Sequence, residues 1–382
     1  YVTAHKIPTA WAHGVQIMKM CEAFASSGFD IALFAQSSKE ITKDPFLFYN
    51  IKHRYSLEFI GAPAALTERW NALRMHWFLN FLFFGFRLKK VLHKRKDRPD
   101  FLYAREYALL PFLLGLHIPI FFEAHSPPGR IGRFFLRRSM RAIAGIGALT
   151  KYVQDELAQY GVPEEKIILL PDGFSPNDFL PVQKPQLELR AELGLPQDKK
   201  IILYVGQLFP WKGVFTLIEA SQFLDGKIPF EIVIVGGYEP YCSQLRDFSR
   251  ERNLNHITVL PQQEHTRALA FMKAADILAL PSSAKHPHSA FYSSPMKLFE
   301  YMASGKPIVA SDVPSSREVL DETDAVFFKP DDSRALALAI ASLFADSAHA
   351  DAISKNALQK VREYTWEKRA GKVLAYLNSV RV

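Results

Sequence analysis

Cysteine is nearly missing from this chain: two residues in 382, Cys21 and Cys242, far apart. That excludes a disulfide-built scaffold and fits a reducing compartment. No apolar run is long enough to cross a bilayer. The longest, residues 107–122, is broken by Pro111, Gly115, His117 and Pro119, which excludes a transmembrane helix there. No leader peptide is read at the start, where YVTAHKIP looks like the tail of a first strand. A repeat of fixed period is missing too, which excludes a solenoid. Low-complexity tracts and clusters of metal-ligating residues do not stand out, and no G-x-x-x-x-G-K-[ST] loop occurs.

What remains is a soluble globular composition, with 48% hydrophobic and 23% charged residues. A chain of 382 residues exceeds one ordinary core, so two domains are expected. The net charge of +8 is placed unevenly. Residues 1–175 hold 23 Lys and Arg against 15 Asp and Glu, while the remainder holds 24 of each. Residues 69–98 alone carry nine basic residues against Asp97.

Short apolar runs alternate with helical patterns. In the first half FDIALFA (29–35), PDFLYA (99–104), IPIFFEA (118–124) and AIAGIGALT (142–150) read as buried parallel strands. VQIMKMCEAFASSG (15–28) reads as a helix. Residues 174–200 are rich in Pro, Gln and charge and read as an interdomain linker with a small helix. A second alternation follows, with strands at 200–208, 230–237, 256–262, 276–283, 306–312 and 324–330. The fold class is therefore α/β: two Rossmann-like, doubly wound parallel-sheet domains facing a central cleft.

Two strand-to-helix turns carry the candidate chemistry. In YVGQLFPWKGVFTL (204–217) a strand ends at Gly206, and Lys212 and Gly213 precede a helix. Such a turn aims backbone N–H groups and a helix start at one point, which favours an anion. Taken alone, the stretch also reads as a solvated loop lysine. The second turn lies in SSPMKLFEYMASGKPIVASDV (293–313). Ser-Pro opens a helix there, and Gly305 with Pro307 closes it. Lys297 and Glu300 lie three apart on its polar side, a spacing that equally suits a surface ion pair. Ser293, Ser294 and the amides of Met296, Lys297 and Leu298 form a second helix start. Two such starts and two lysines on one sheet can hold a diphosphate, with Glu300 placed for a ribose diol.

These stretches resemble the nucleotide-sugar-binding domain of the retaining glycosyltransferases of family GT4, in the GT-B fold. The likeness rests on YVGQLFPWKG, VIVGG, LALPSS, SPMKLFEYMASGKPIVASDV and YTWEKRA, with PDGFSPNDF (171–179) similar to the family's P-N-G-V-D-x-x-x-F segment. It covers most of residues 140–382, and the first half matches more loosely. The resemblance implies an acceptor domain over 1–175, a donor domain over 176–364, and a terminal helix over 365–382 packing back on the first.

Residue by residue, it makes Lys212 the contact to the donor diphosphate and Glu300 the ribose ligand. His125 becomes the histidine that meets the transferred sugar, although alone it reads as a satisfied loop histidine. Gly14 would approach the donor from a loop, and Gly206, Gln207, Gly236, Ser294, Pro295, Met296, Lys297 and Leu298 would line the donor site. Gln207 replaces the family's frequent arginine, and Tyr292 stands where the first glutamate of E-x7-E falls. Lys285, His286 or His288 can compensate, or form a plain exposed loop. No D-x-D occurs at a strand end, and Asp331-Asp332 read as a helix cap. Neither metal nor cofactor is expected.

The stretch 69–98 interleaves Trp77, Phe78, Phe81, Phe83, Phe84 and Phe86 with Arg87, Lys89, Lys90, Lys94, Arg95, Lys96 and Arg98, and GRIGRFFLRRSMR (129–141) repeats the style. Phe83, Phe84, Arg87, Lys89 and Lys90 are expected at an anionic membrane surface. A core helix with a solvated basic end is the other reading, and nucleic-acid binding explains the clustered Phe poorly. The function expected is metal-independent, retaining sugar transfer from a nucleotide-diphosphate sugar to a glycolipid, lipid-linked glycan or polysaccharide, in the cytoplasm at the inner membrane face. A UDP-sugar 2-epimerase on the same fold and a non-catalytic binder are the alternatives.

Overall fold

The computed structural model describes residues 1–38, 41–61, 76–224 and 228–380, the side chains of 76–80 excepted. The chain divides into two compact units: Tyr1–Pro171 with Trp366–Val382, and Asp172–Thr365. The sequence reading drew these borders at 175/176 and 364/365.

The first unit is built on seven parallel strands: β1 (Val2–Ile7), β2 (Ala32–Ser37), β3 (Ser56–Phe59), β4 (Leu102–Ala104), β5 (Ile120–Ala124), β6 (Ile143–Ala148) and β7 (Ile167–Leu169). Their order is β3-β2-β1-β4-β5-β6-β7, so the winding reverses between β1 and β4. The central strands are covered on both faces, which is why they read as unbroken apolar runs: Ile120, Phe121 and Phe122 are fully buried. The last helix, Trp366–Val380, packs in this unit against helix Ala12–Ser26.

The second unit carries six parallel strands: β8 (Lys200–Val205), β9 (Phe230–Val235), β10 (Ile257–Leu260), β11 (Ile277–Leu280), β12 (Ile308–Ser311) and β13 (Val326–Phe328). The order β10-β9-β8-β11-β12-β13 puts its reversal between β8 and β11. In open α/β sheets a ligand binds beyond the strand ends at that reversal.

Several expectations need correction. Edge strands β3 and β7 were not anticipated, because short, half-exposed strands carry little apolar signal. Residues 174–200 are not a linker. Phe174, Phe179, Val182, Leu189 and Leu195 are buried in the second unit's core, over a 3-10 turn Pro176–Val182 and helix Gln186–Leu193. Gly14 lies in the first turn of helix Ala12–Ser26 rather than in a loop. A Cβ there would meet the Tyr49 hydroxyl, which both accepts from the Thr9 amide (2.6 Å) and donates to the Thr9 carbonyl (2.8 Å).

The basic aromatic stretch is also divided differently. In helix His76–Lys94, Phe81, Phe84, Leu88 and Leu92 form the buried stripe. Phe84 is therefore a core residue and not a membrane contact; Phe83 and Lys89 are half-buried. Arg87 and Lys90 are exposed beside Phe86, which is 64% exposed. Arg69 and the side chains of Trp77 and Phe78 lie outside the described residues. Among the described residues, no single helix is long and apolar enough to cross a membrane. Asp332 caps helix Ser333–Ala345 as read, accepting from the amides of Arg334 and Ala335.

Candidate functional site

At the reversal of the second sheet, glycines bring three loops together. Gly206 (φ +144°) follows β8 and Gly236 (φ +133°) follows β9. A Cβ on Gly236 would collide with the Gly206 carbonyl. Gly213 (φ +73°) ends the 3-10 turn Pro210–Lys212, and its Cβ would strike the carbonyl of Pro281 just past β11. Only glycine suits such positions. The Ser283 amide donates to the Trp211 carbonyl at 3.0 Å, tying the two loops.

Helix Met296–Ser304 ends as read, at Gly305 in the left-handed region (φ +68°). Its placement depends on Tyr301, a fully buried residue whose hydroxyl accepts from the Val205 amide at 2.7 Å. That bond sets the helix start beside the end of β8. Lys297 consequently leans over the Tyr204 ring, Nζ 3.9 Å from its centroid. The Nζ is 3.5 Å from where a Gly206 Cβ would stand.

The Lys297 residue is partly exposed, but its ammonium is sealed and has no hydrogen-bond partner among the described residues. Burial, with the nearby charge of Lys212, holds its pKa well below the ordinary lysine range. Burial also lowers Lys212. Two lysine head groups close enough to repel each other when charged, beside a helix start, make a spot where an anion favours the charged forms.

The i,i+3 spacing of Lys297 and Glu300 does not yield an ion pair. Glu300 Oε1 instead meets His265 Nε2 at 2.7 Å, and His265 Nδ1 lies 3.9 Å from buried Asp178. His265 opens helix His265–Ala274 after β10. The sequence reading missed it, though it stands at the same kind of strand-to-helix turn. One helix-start group differs from expectation. The Leu298 amide is not free, because it donates to the Pro295 carbonyl at 2.8 Å. Ser294 is buried, and its hydroxyl accepts from the Asp172 amide at 2.9 Å.

Gln207 offers its carbonyl to the Tyr204 hydroxyl at 2.7 Å. His286 stacks on Trp211, which stacks on Phe209. His288 sits edge-on to Tyr292, and burial, then Lys212, lower its pKa.

In the first unit, His125 follows β5 and is hydrogen-bonded to Glu123 at 2.5 Å. Glu123 is fully buried. Burial opposes its charge, but Arg369, His125 and Arg105 outweigh that and hold its carboxyl well below the usual range. Burial and Arg105 pull His125 down to about 4, so it is neutral near pH 7. Glu123 was missed as a partner, although a glutamate inside the apolar run IPIFFEA demands one. Gly14 is in this unit; all other residues of the expected donor site are in the second.

The family described as glycosyl transferases group 1 matches residues 185–360, and that described as glycosyltransferase family 4 matches residues 13–178. D-inositol 3-phosphate glycosyltransferase of Xylanimonas cellulosilytica is 26% identical over 60% of this chain and 55% of its own. The protein of that name in Nocardia farcinica is 27% identical over 55% of this chain and 47% of its own. The chain thus spans about half the length of these curated relatives. Among solved structures, Anabaena Alr3699/HepE with UDP-glucose aligns over 99% of both chains at 17% identity and a TM-score of 0.75. Sucrose-phosphate synthase from Thermosynechococcus elongatus aligns over 99% of this chain and 98% of its own, at 20% identity and a TM-score of 0.77.

Proposed function

The chain belongs to the group 1 and family 4 glycosyltransferases and has the GT-B fold, and on that premise we propose that it transfers a sugar from a nucleotide-diphosphate donor to a glycan or lipid-linked acceptor with retention of anomeric configuration. The observation that carries the reading is the sealed, unpartnered ammonium of Lys297 beside Gly206 and Lys212. A diphosphate is the anion that suits two neighbouring cations and a helix start.

Lys212 and Lys297 hold the diphosphate and take up the charge that develops on it as the glycosidic bond breaks. That assigns to ammonium groups the task a divalent ion performs elsewhere, so the reaction is metal-independent. Glu300, oriented by His265, accepts from the ribose diol. His125 accepts a hydrogen bond from a hydroxyl of the transferred sugar. The leaving phosphate takes the acceptor's proton on the face it departs from, and the protein supplies position and field.

The acceptor is a glycolipid, lipid-linked glycan or polysaccharide, met at the inner face of the cytoplasmic membrane. Exposed Phe86, Arg87 and Lys90 support this, as do Ile131 (73% exposed) and Phe134 (54%) on the basic helix Arg130–Ser139. Replacing Phe86, Arg87 and Lys90 together reduces sedimentation with anionic liposomes, and unchanged partitioning refutes the membrane claim.

Incubation with UDP-glucose and other nucleotide sugars, with and without lipid acceptors, tests the function. Sugar transfer or slow donor hydrolysis is the expected result. A new nucleotide-sugar isomer would make the protein an epimerase, and binding without turnover a non-catalytic binder.

A further inference from the structure

Both oxygens of buried Glu123 are occupied by donors. Oε1 receives Gln16 Nε2 and His125 Nε2; Oε2 receives the Tyr103 hydroxyl and Arg369 Nη1 (3.0 Å). A carboxylate held ionised by three other donors acts only as an acceptor, so the hydrogen in the Glu123–His125 contact belongs to Nε2. On the other side of the ring, His125 Nδ1 lies 3.5 Å from Arg105 Nη2. A guanidinium has no lone pair to offer, so Nδ1 keeps its own. Arg105 also donates to Gln16 Oε1, which turns the Gln16 amide nitrogen toward Glu123. Both contacts of the ring select the same tautomer.

Arg369 extends this network to the unit's exit. Its Nε donates to the Pro171 carbonyl (2.9 Å) and its Nη2 to the Leu170 carbonyl (3.2 Å), where the chain leaves the first unit. Arg369 itself lies in the first turn of helix Trp366–Val380, by which the chain returns. It is 4% exposed. One guanidinium thus grips the departing backbone and the carboxylate that holds His125.

We propose that Glu123 and Arg369 are positioning residues for His125: they fix its ring as the Nε2–H tautomer and leave Nδ1 as an acceptor, on which a substrate hydroxyl displaces the long Arg105 contact (3.5 Å). The substrate part rests on the sugar-transfer reading above; the tautomer part does not. A merely structural ion pair would add stability without governing which ring nitrogen carries the proton.

Long-range 1H–15N correlation spectra of the full chain, labelled at histidine, read the tautomer directly near neutral pH. The His125 signals are assigned by their loss in His125→Gln. The expected pattern is a protonated Nε2 and a bare Nδ1. In Glu123→Gln, of equal shape, the amide can turn either face to the ring and the pattern becomes mixed. UDP-glucose turnover then falls roughly 10-fold or more in kcat, with KM nearly unchanged. Arg369→Lys keeps the charge but not the three-way grip, and shifts the same signals less. A protonated Nδ1 or an imidazolium in the wild-type chain overturns the proposal whether or not the variants fold. So does Glu123→Gln with wild-type signals and kcat. A wild-type chain that turns over no nucleotide sugar would sink the functional reading while leaving the tautomer result to stand by itself.

Discussion

Replacing Lys297 by methionine should weaken the protein's hold on its donor and strengthen its fold at the same time. The ammonium is sealed without a hydrogen-bond partner and faces the charge of Lys212. A buried, unsatisfied donor costs about 1–3 kcal/mol, and the Tyr204 ring at 3.9 Å returns about 0.5–2 kcal/mol of that. Methionine keeps the stem's apolar packing and removes the charge, so the net gain is about 1 kcal/mol, or roughly 2–4 °C in Tm for a unit of this size. A charged hydrogen bond to phosphate contributes about 1.5–3 kcal/mol, so the Kd for UDP rises about 10- to 150-fold. Thermal unfolding with and without UDP reads both effects in one experiment, because a ligand bound only to the folded state raises Tm. A lower Tm in the apo variant, together with an undiminished shift by UDP, would refute the reasoning.

Other outcomes follow from the same geometry. Donor affinity should fall as pH rises, because Lys297 has a depressed pKa when free and an ordinary one beside a diphosphate. Below the free-state pKa the ammonium is already present; above it, binding must take up a proton. Calorimetry in buffers of different ionisation enthalpy measures that uptake, and pH-independent binding contradicts it. Glu300→Ala should raise the KM for a nucleotide sugar about 10-fold or more by removing a charged acceptor from the ribose, whereas His265→Ala, which leaves the carboxylate in place, should cost less in the same kinetics. Arg369→Met leaves Glu123 buried without its cation and should destabilise the first unit by about 3–5 kcal/mol in urea titrations. That loss should shrink as pH falls toward the depressed Glu123 pKa, because the ion pair is complete only above it.

The readable parts of the fold are those whose local pattern settles their burial. β8, β9 and β11 are covered on both faces, so Ile201–Tyr204 and Ile277–Leu280 are continuous apolar runs. Gly305 and Asp332 mark helix ends by local backbone chemistry alone. Phe84 and Phe86 show the opposite case. Two residues apart on one helix, they face opposite ways, and nothing in an all-round aromatic stretch says which side meets the sheet. Residues 174–200 were misread because their core contacts come from a 3-10 turn and a short helix with irregular apolar spacing.

The same division holds for the site. Gly206, Lys212 and Gly236 lie in turns between recognisable strands and helices, and Lys297 in the first turn of a helix, so their residue types and order point to an anion. The partners that orient them do not. Tyr301 reaches Val205 across 96 positions, and Arg369 reaches Glu123 across 246. Pairings of that range are a product of the sheet order, which no local spacing encodes.

The central claim is that Lys212 and Lys297 flank a bound diphosphate at the reversal between β8 and β11. A crystal structure of the chain with UDP tests it most directly. The account predicts both ammonium groups within hydrogen-bond distance of diphosphate oxygens and the ribose against Glu300. UDP seated elsewhere on the chain, or bound there with Lys297 still turned onto Tyr204 and away from phosphate, would contradict it.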